Sequence, residues 1–473
     1  MKKYFWLIFS LLLISRLFFL AHYPYFYDSP EYYRESLSSN FGQSIVASHE
    51  AVHPLYLFLT QIFQKVSLSL TGQPQVWVIS LISALFGILG ILAWYFLVKR
   101  LFNDKIAIFS LIPLIFFPYL WLIQTNILHE TVEQGLFLLG LLFLDLSLGK
   151  RKIYWVILVV ISWALAIFNF PGILVWFPAA IGLILYRSKR LRKDLGIFFL
   201  SVFLSLGLAL AGLYATLALA IPEPVVRMRT LLLGEGGVLF SWTLLDILRV
   251  LRNDFLILFY GYSIAAILGG IIAFVWLIRQ KKFKTLIFLS LFIASFAITG
   301  KFWYGGLYGR WSALVVYPLA LLLALVPWRK IYWGLMVILV ISFLPTFLAY
   351  QKPPIPEIQA ELVNQSSITR EDLLILSDYQ RPQLPYDNAL YIVGANQKMV
   401  EEEIEMALKE NHRVFISQQA ITFPYWQYDG QEIHIISRGN SEKAHLKKFL
   451  EDKELELISE DKNYPLLSIY QIE

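Results

Sequence analysis

Apolar residues fill runs of about 20 positions along most of the chain, the length a helix needs to cross a hydrocarbon layer roughly 30 Å thick. Eleven such runs are read, at 4–21, 76–98, 106–123, 132–148, 153–168, 173–186, 195–221, 255–278, 286–300, 311–326 and 332–349. Backbone polar groups in lipid must be satisfied within their own segment, so the pattern predicts an α-helical polytopic membrane protein. Residues 57–70 break the pattern, because Gln61, Gln64, Lys65 and several serines interrupt the apolar positions. That stretch reads as a helix lying in the membrane interface. After Pro353-Pro-Ile-Pro356 the texture changes again. Short apolar strands (373–376, 390–393, 414–416, 432–436) alternate with charged helical patterns (398–410, 442–451), which predicts a soluble α/β unit. The expected organisation is a membrane domain over 1–350 and a soluble α/β domain over 351–473.

Charge gives this pattern a direction. When the spans alternate, Lys2-Lys3 and five connections fall on one side: Lys99-Arg100 with Lys105, Lys150-Arg151-Lys152, Arg187 to Lys193, Arg279 to Lys284, and Arg329-Lys330. Basic connections mark the cytoplasmic face, so the amino terminus is expected inside and the 351–473 domain outside. No small-residue cleavage pattern follows the first apolar run, which reads as an uncleaved span. The expectation is a multi-pass protein of the plasma (inner) membrane. The net charge of +6 divides unequally: residues 351–473 carry 12 Lys+Arg against 21 Asp+Glu, a net of −9, and the first 350 carry +15. The membrane part's excess is topogenic, so it is not read as a nucleic-acid footprint. The absence of cysteine excludes disulfides and thiol chemistry and leaves only His and carboxylates to hold a metal. Gly394 follows a strand without the further spaced glycines of a nucleotide-binding turn.

The candidate chemistry lies in the external stretches. Pro24-Tyr-Phe-Tyr-Asp28-Ser-Pro-Glu31-Tyr-Tyr-Arg34-Glu35 sets two spaced carboxylates among aromatics directly after the first span. Such carboxylates serve either as a base toward a lipid-borne substrate or as solvated loop charges. Gln124-Thr-Asn126-Ile-Leu-His129-Glu130-Thr-Val-Glu133 falls on the same face. So do Arg227, Arg229 and the stretch Lys301-Phe-Trp-Tyr304-Gly-Gly-Leu-Tyr308-Gly-Arg310. Arg16, near the outward end of the first span, reads as a side chain snorkelling to the interface or as a phosphate ligand.

Arg16-Leu17, then Asp28-Ser-Pro-Glu31-Tyr32, then His53-Pro-Leu-Tyr56 resembles the amino-terminal region of the GT-C glycosyltransferases, polytopic enzymes that use polyprenyl-phosphate sugars. The protein mannosyltransferase and aminoarabinose transferase branches are closest in texture. The resemblance extends through roughly the first 349 residues, over the first external loop, the interfacial helix and the order of spans. It implies that Asp28 is the catalytic base or acceptor-orienting group. Glu31 departs from the adjacent acidic pair of the mannosyltransferase branch, since two residues separate it from Asp28. His129-Glu130 is similar to the family's acidic second external loop, and Arg310 to the basic residue that meets the lipid phosphate before a late span.

The chemistry so implied requires a base, a means of stabilising the departing phosphate, and an apolar groove for the lipid. Asp28 is the base, with Glu31 and Glu130 as further catalytic candidates. Arg310, Lys301, Arg227, Arg229 and Arg16 are the phosphate candidates, with His53, His129, Tyr304 and Tyr308 beside them on the substrate. The phosphate already activates the leaving group, so no cofactor is required. A divalent metal remains open through Asp28, His129 and Glu130, with His49 and His53 nearby, although each histidine also reads as an interfacial hydrogen-bonder. The acceptor is a lipid, a glycan or a protein. The rival readings are a lipid-linked glycan transporter or flippase, a glycan polymerase or ligase, and a non-catalytic membrane anchor.

Overall fold

The computed structural model describes residues 2–23, 29–38, 41–42, 44, 53–150, 152–219, 223–226, 228, 247–248, 251–252, 258, 261–299, 309–349, 355–377, 388–392, 397–422, 444–460, 462 and 467–473. The chain divides into two compact units, 1–22 with 31–347 and 23–30 with 348–473.

The first unit is helical. Its elements are α1 (Lys2–Leu17), α2 (Ser29–Leu37), α3 (Pro54–Thr71), α4 (Val76–Leu101), α5 (Asp104–Phe116), α6 (Pro118–Thr125) and α7 (Glu130–Lys150). There follow α8 (Ile153–Asn169), a 3-10 turn (Pro171–Trp176), α9 (Phe177–Arg187), α10 (Leu191–Ala218), α11 (Ile264–Arg279), α12 (Phe283–Thr299), a second 3-10 segment (Gly309–Val315), α13 (Val316–Leu325) and α14 (Arg329–Ala349). Among the described residues α4, α7, α10 and α14 are each long and apolar enough to cross a membrane, and the bent pair α5–α6 makes a fifth. Other apolar helices are 10–17 residues long. The eleven continuous runs of the sequence therefore do not become eleven full-length helices among these residues. Prolines account for part of the difference: Pro118 cuts one run into two helices bent by 72°.

Two helices show that the protein presents its apolar side outward. Helix α3 buries Thr60, Gln61, Gln64 and Ser67 while exposing Phe58, Ile62, Val66 and Leu70. Helix α10 turns Ser201, Ser205 and Ala209 inward, where the Ser205 hydroxyl donates to the Val160 carbonyl on α8 at 3.0 Å, and exposes Phe199, Phe203 and Leu208. Such inverted amphipathicity is stable only where the surroundings are lipid. At the centre, α4 and α7 touch through their backbones. A Cβ on Gly135 would lie 2.4 Å from the Phe86 carbonyl oxygen, so glycine is required there. Near the basic end of the same helices the buried Asp145 carboxylate accepts from Arg100 of α4 and, at 3.0 Å, from Arg187 of α9, joining three helices.

The prolines of α5–α6 leave carbonyls without their usual partners, because residue i+4 has no N–H to give. Pro113 frees the Phe109 carbonyl, which accepts from the Tyr332 hydroxyl of α14 at 2.9 Å. Pro118 frees the Leu114 carbonyl, which accepts from Arg16 of α1 at 2.7 Å.

The second unit contains a five-stranded sheet of order β2-β1-β3-β5-β4, from β1 (Leu373–Ser377), β2 (Ala389–Ile392), β3 (Val414–Ser417), β4 (Leu455–Ser459) and β5 (Ile469–Ile472). The first three strands are parallel and β5 pairs antiparallel with both β3 and β4. Strand alternation separates two cores. Ile375, Val414 and Ile416 pack with Val400 and Ile404 of α16 (Gln397–Lys409), following α15 (Ile355–Gln365) in the chain, and with Leu446 and Leu450 of a later helix, Ala444–Leu450. Leu374, Leu376 and Phe415 pack on the opposite face with Leu362 and Val363 of α15. The sequence anticipates β1, β2, β3, α16 and the later helix but not β4 or β5, and its strand at 432–436 lies outside the described residues.

Asp372, just before β1, accepts from Arg413 Nε at 2.9 Å and Nη2 at 2.7 Å, and from the Thr369 amide at 2.6 Å. Burial pushes its carboxyl up, but these hydrogen bonds outweigh that effect and hold it below the ordinary value. A carboxyl depressed in the folded state contributes stability that is present above its unfolded pKa of about 3.9 and is lost as pH falls toward the folded value. Thermal melts of the wild type below about pH 4 are expected to lose this contribution. An Asp372→Asn chain should already lack it at neutral pH and show a shallower acid dependence.

Candidate active site

Helix α7 starts where its sequence changes from apolar to His129-Glu130-Thr-Val-Glu133. The spacing of four places His129 and Glu133 on one face, and Nδ1 of the imidazole lies 3.1 Å from Glu133 Oε1. On the other edge of the ring, Nε2 lies 3.5 Å from Glu130 Oε1. The imidazole thus stands between two carboxylates, and all three side chains are buried. An ionised carboxylate only accepts, so with Glu133 ionised the Nδ1 nitrogen carries a proton toward it.

Asn169, the last residue of α8, connects this line to α3. Its Nδ2 donates to Glu133 Oε2 at 2.7 Å, and its Oδ1 accepts from the Tyr56 amide at 2.8 Å. Its backbone carbonyl lies 3.1 Å from His53 Nδ1. Pro54 at the first position of α3 leaves His53 outside the helix, with its ring stacked on His129 at a centroid separation of 3.3 Å. Two imidazolium charges at that distance would repel, so at most one ring of the pair is protonated. Tyr32 of α2 meets His53, Tyr56 and His129 edge-on, with centroids 5.2–6.0 Å apart.

Helix α2 carries Glu31 in its first turn and is tied down at its far end. Gln61 of α3 donates to the Glu35 carbonyl at 3.1 Å and to the Ser44 hydroxyl at 2.7 Å. Burial pushes the Glu35 carboxyl above its ordinary value; the Ser44 hydrogen bond opposes this and the nearby Glu31 charge adds to it. The Glu35 carboxyl of α2 therefore holds its proton more tightly than in water.

His53, His129 and Glu130 are brought together, with Tyr32 of α2 among them and Glu31 beside it in sequence. Asp28, Arg227, Arg229, Lys301, Tyr304, Tyr308 and His49 lie outside the described residues. Arg310 falls in the 3-10 segment 309–315, whose backbone packs against α6 and α7. Arg16 differs from both sequence expectations. It is wholly buried, and its guanidinium donates to the Leu114 and Ile115 carbonyls, Ser15 and Gln124. It neither snorkels nor faces a lipid phosphate, because Pro118 has opened a helix beside it. Among the described residues no three His, Asp or Glu side chains form a metal cage.

Two members of the cluster were not singled out from sequence. Glu133 was detectable through its four-residue spacing from His129. Asn169 is the polar residue that closes an apolar run before Phe-Pro-Gly, a position where turn chemistry alone explains an asparagine.

Residues 52–217 match the family model described as dolichyl-phosphate-mannose-protein mannosyltransferase. Among solved structures, ArnT from Cupriavidus metallidurans in the apo state superposes over 100% of this chain and 97% of its own, with a TM-score of 0.58 at 13% identity. The apo oligosaccharyltransferase of Archaeoglobus fulgidus covers 89% of this chain and 70% of its own, with a TM-score of 0.48 at 12% identity. No curated protein sequence matches. The first likeness shows a shared fold.

Proposed function

We propose that this chain belongs to the GT-C superfamily of glycosyltransferases and transfers a sugar from a polyprenyl-phosphate donor to a lipid, glycan or protein acceptor on the extracytoplasmic face. The observation that carries the reading is the buried line Glu133–His129–Glu130, stacked on His53, with the segment bearing Arg310 packed on the same helices. It sets fixed carboxylate and imidazole chemistry against Tyr32 of α2, the helix whose first turn carries Glu31. Basic connections on the opposite side support eleven spans with the amino terminus in the cytoplasm and residues 351–473 outside.

In the reaction Asp28 takes the acceptor's proton as the acceptor oxygen bonds to the anomeric carbon. The bond from that carbon to the phosphate oxygen breaks, and polyprenyl phosphate leaves with the electron pair. One displacement inverts the anomeric configuration. Glu130, oriented by His129, and Glu31 align the acceptor and sugar hydroxyls. Arg310, with Arg227, Arg229 and Lys301, meets the negative charge gathering on the phosphate, while Tyr304 and Tyr308 flank the sugar and His53 sits at the floor. The chemistry requires no cofactor.

The test is transfer by the purified protein from a synthetic polyprenyl-phosphate sugar, read as release of polyprenyl phosphate and as the product anomer. An inverted product supports the single displacement and a retained anomer overturns it; no transfer from donors matched to the lipids that copurify would reject the reading as a whole. Arg310→Ala is expected to lower kcat/KM for the donor by about 10²-fold. Unchanged donor dependence would remove Arg310 from the site.

A further inference from the structure

We infer that Arg16 is a positioning residue, which sets the His129-Glu130 end of α7 in register with α1 by holding the broken helix α5–α6 against the end of α1. An arginine in a first span that donates only inward has a specific cause here. Pro118 cannot give its N–H to Leu114, and the 72° bend carries the Tyr119 amide away from Ile115, so two adjacent carbonyls are left facing α1. The guanidinium supplies both, at 2.7 Å to Leu114 and 3.2 Å to Ile115. Its Nε–H reaches past the bend to Gln124 Oε1 at 2.8 Å, so one planar group grips α5 and α6 together.

Further contacts show that the grip extends to the end of α6. Trp121 Nε1 donates to the Ser15 carbonyl at 2.7 Å, and the Ala21 amide donates to the Thr125 carbonyl at 2.8 Å. The chain leaves α6 at this point for His129, four residues after Thr125. Gln124 fits because residue 87 is glycine; a Cβ there would lie 2.5 Å from the Gln124 side chain. Without Arg16 the carbonyls at 114 and 115 lose this donor, α5–α6 straightens or shifts, and His129-Glu130 moves relative to α1. An error of about 1 Å in such a site costs about 10²-fold in rate.

The inference rests on the reading of the His129-Glu130 end of α7 as part of the transfer site, and its test is arranged to separate the two. The chain has no cysteine, so Ala21→Cys with Thr125→Cys creates one pair whose oxidation reports whether α1 and α6 are in contact. The pair is expected to cross-link readily in the otherwise wild-type chain, less with Arg16→Lys, whose single ammonium cannot span the three acceptors, and little with Arg16→Met. Equal yield in Arg16→Met overturns the inference. Should that variant misfold, adding Pro118→Ala returns an N–H to Leu114. The doubly substituted chain is expected to fold yet still cross-link poorly, and wild-type yield there also overturns it.

Donor turnover supplies the functional arm. In the fraction of Arg16→Met that does form the disulfide, isolated after prolonged oxidation, kcat is expected to be restored and reductant to remove it again, with KM for the donor little changed; a purely structural defect would not reverse in this way, and no recovery in the cross-linked fraction counts against the inference. If the parent chain shows no turnover at all, the transfer reading fails, while the cross-link yields still decide the role of Arg16.

Discussion

Asp28→Asn is expected to lower sugar transfer by about 10²–10⁴-fold while leaving expression and melting temperature unchanged. The two side chains have nearly the same shape, but the amide cannot take the acceptor's proton, so only the proton transfer is lost. Folding should tolerate the change, since the next turns of α2 are held by other contacts: Tyr32 in the aromatic cluster and Gln61 on the Glu35 carbonyl. The pH profile separates this loss from a binding defect. In the wild type kcat/KM should fall on the acid side as the base becomes protonated, and the residual rate of the variant should be flat there. Full activity in the variant would dismiss Asp28 as the base.

The parts of the fold that depend on chain period were legible from residues alone. The apolar run at 76–98 is α4, and the stretch 57–70, too polar for a span, is α3, with glutamines buried and phenylalanine and leucine outward. What could not be read were effects that depend on a second segment. Pro118 is visible in the sequence as a helix breaker, but the carbonyls it frees are answered by Arg16, 98 residues away from Leu114. A charged residue in an apolar run therefore suggests an interfacial side chain until the break beside it is known. Asn169 could be identified as functional only after Glu133, Tyr56 and His53 had been brought around it from two other helices. In the second unit, β4 was hidden for another reason. Its first residues are exposed and include Glu456, so a strand at the sheet edge lacks the apolar alternation that revealed β1 and β3.

Glu133 carries the second large effect, and two substitutions there should separate stability from chemistry. Its carboxyl faces His129 Nδ1 at 3.1 Å with one oxygen and accepts from Asn169 Nδ2 with the other, in the interior. Glu133→Leu takes that acceptor from two buried donors, at roughly 1–3 kcal/mol each, and is expected to destabilise the protein by about 3 kcal/mol or more. Glu133→Gln keeps the shape but offers one oxygen and one NH₂. If the oxygen faces Asn169, the NH₂ faces His129, and the ring can accept it by moving its proton from Nδ1 to Nε2. The stability loss should then be small, but the ring proton now lies on the side of Glu130, whose Oε1 is 3.5 Å from Nε2. Transfer is expected to fall by about 10–10²-fold with a near-normal melt, and the proton's move should appear in the ¹⁵N shifts of a His129-labelled sample. A Gln variant with both normal activity and normal shifts would show that His129 does not depend on Glu133 for its tautomer. The buried line would then support the fold alone, with no part in orienting Glu130.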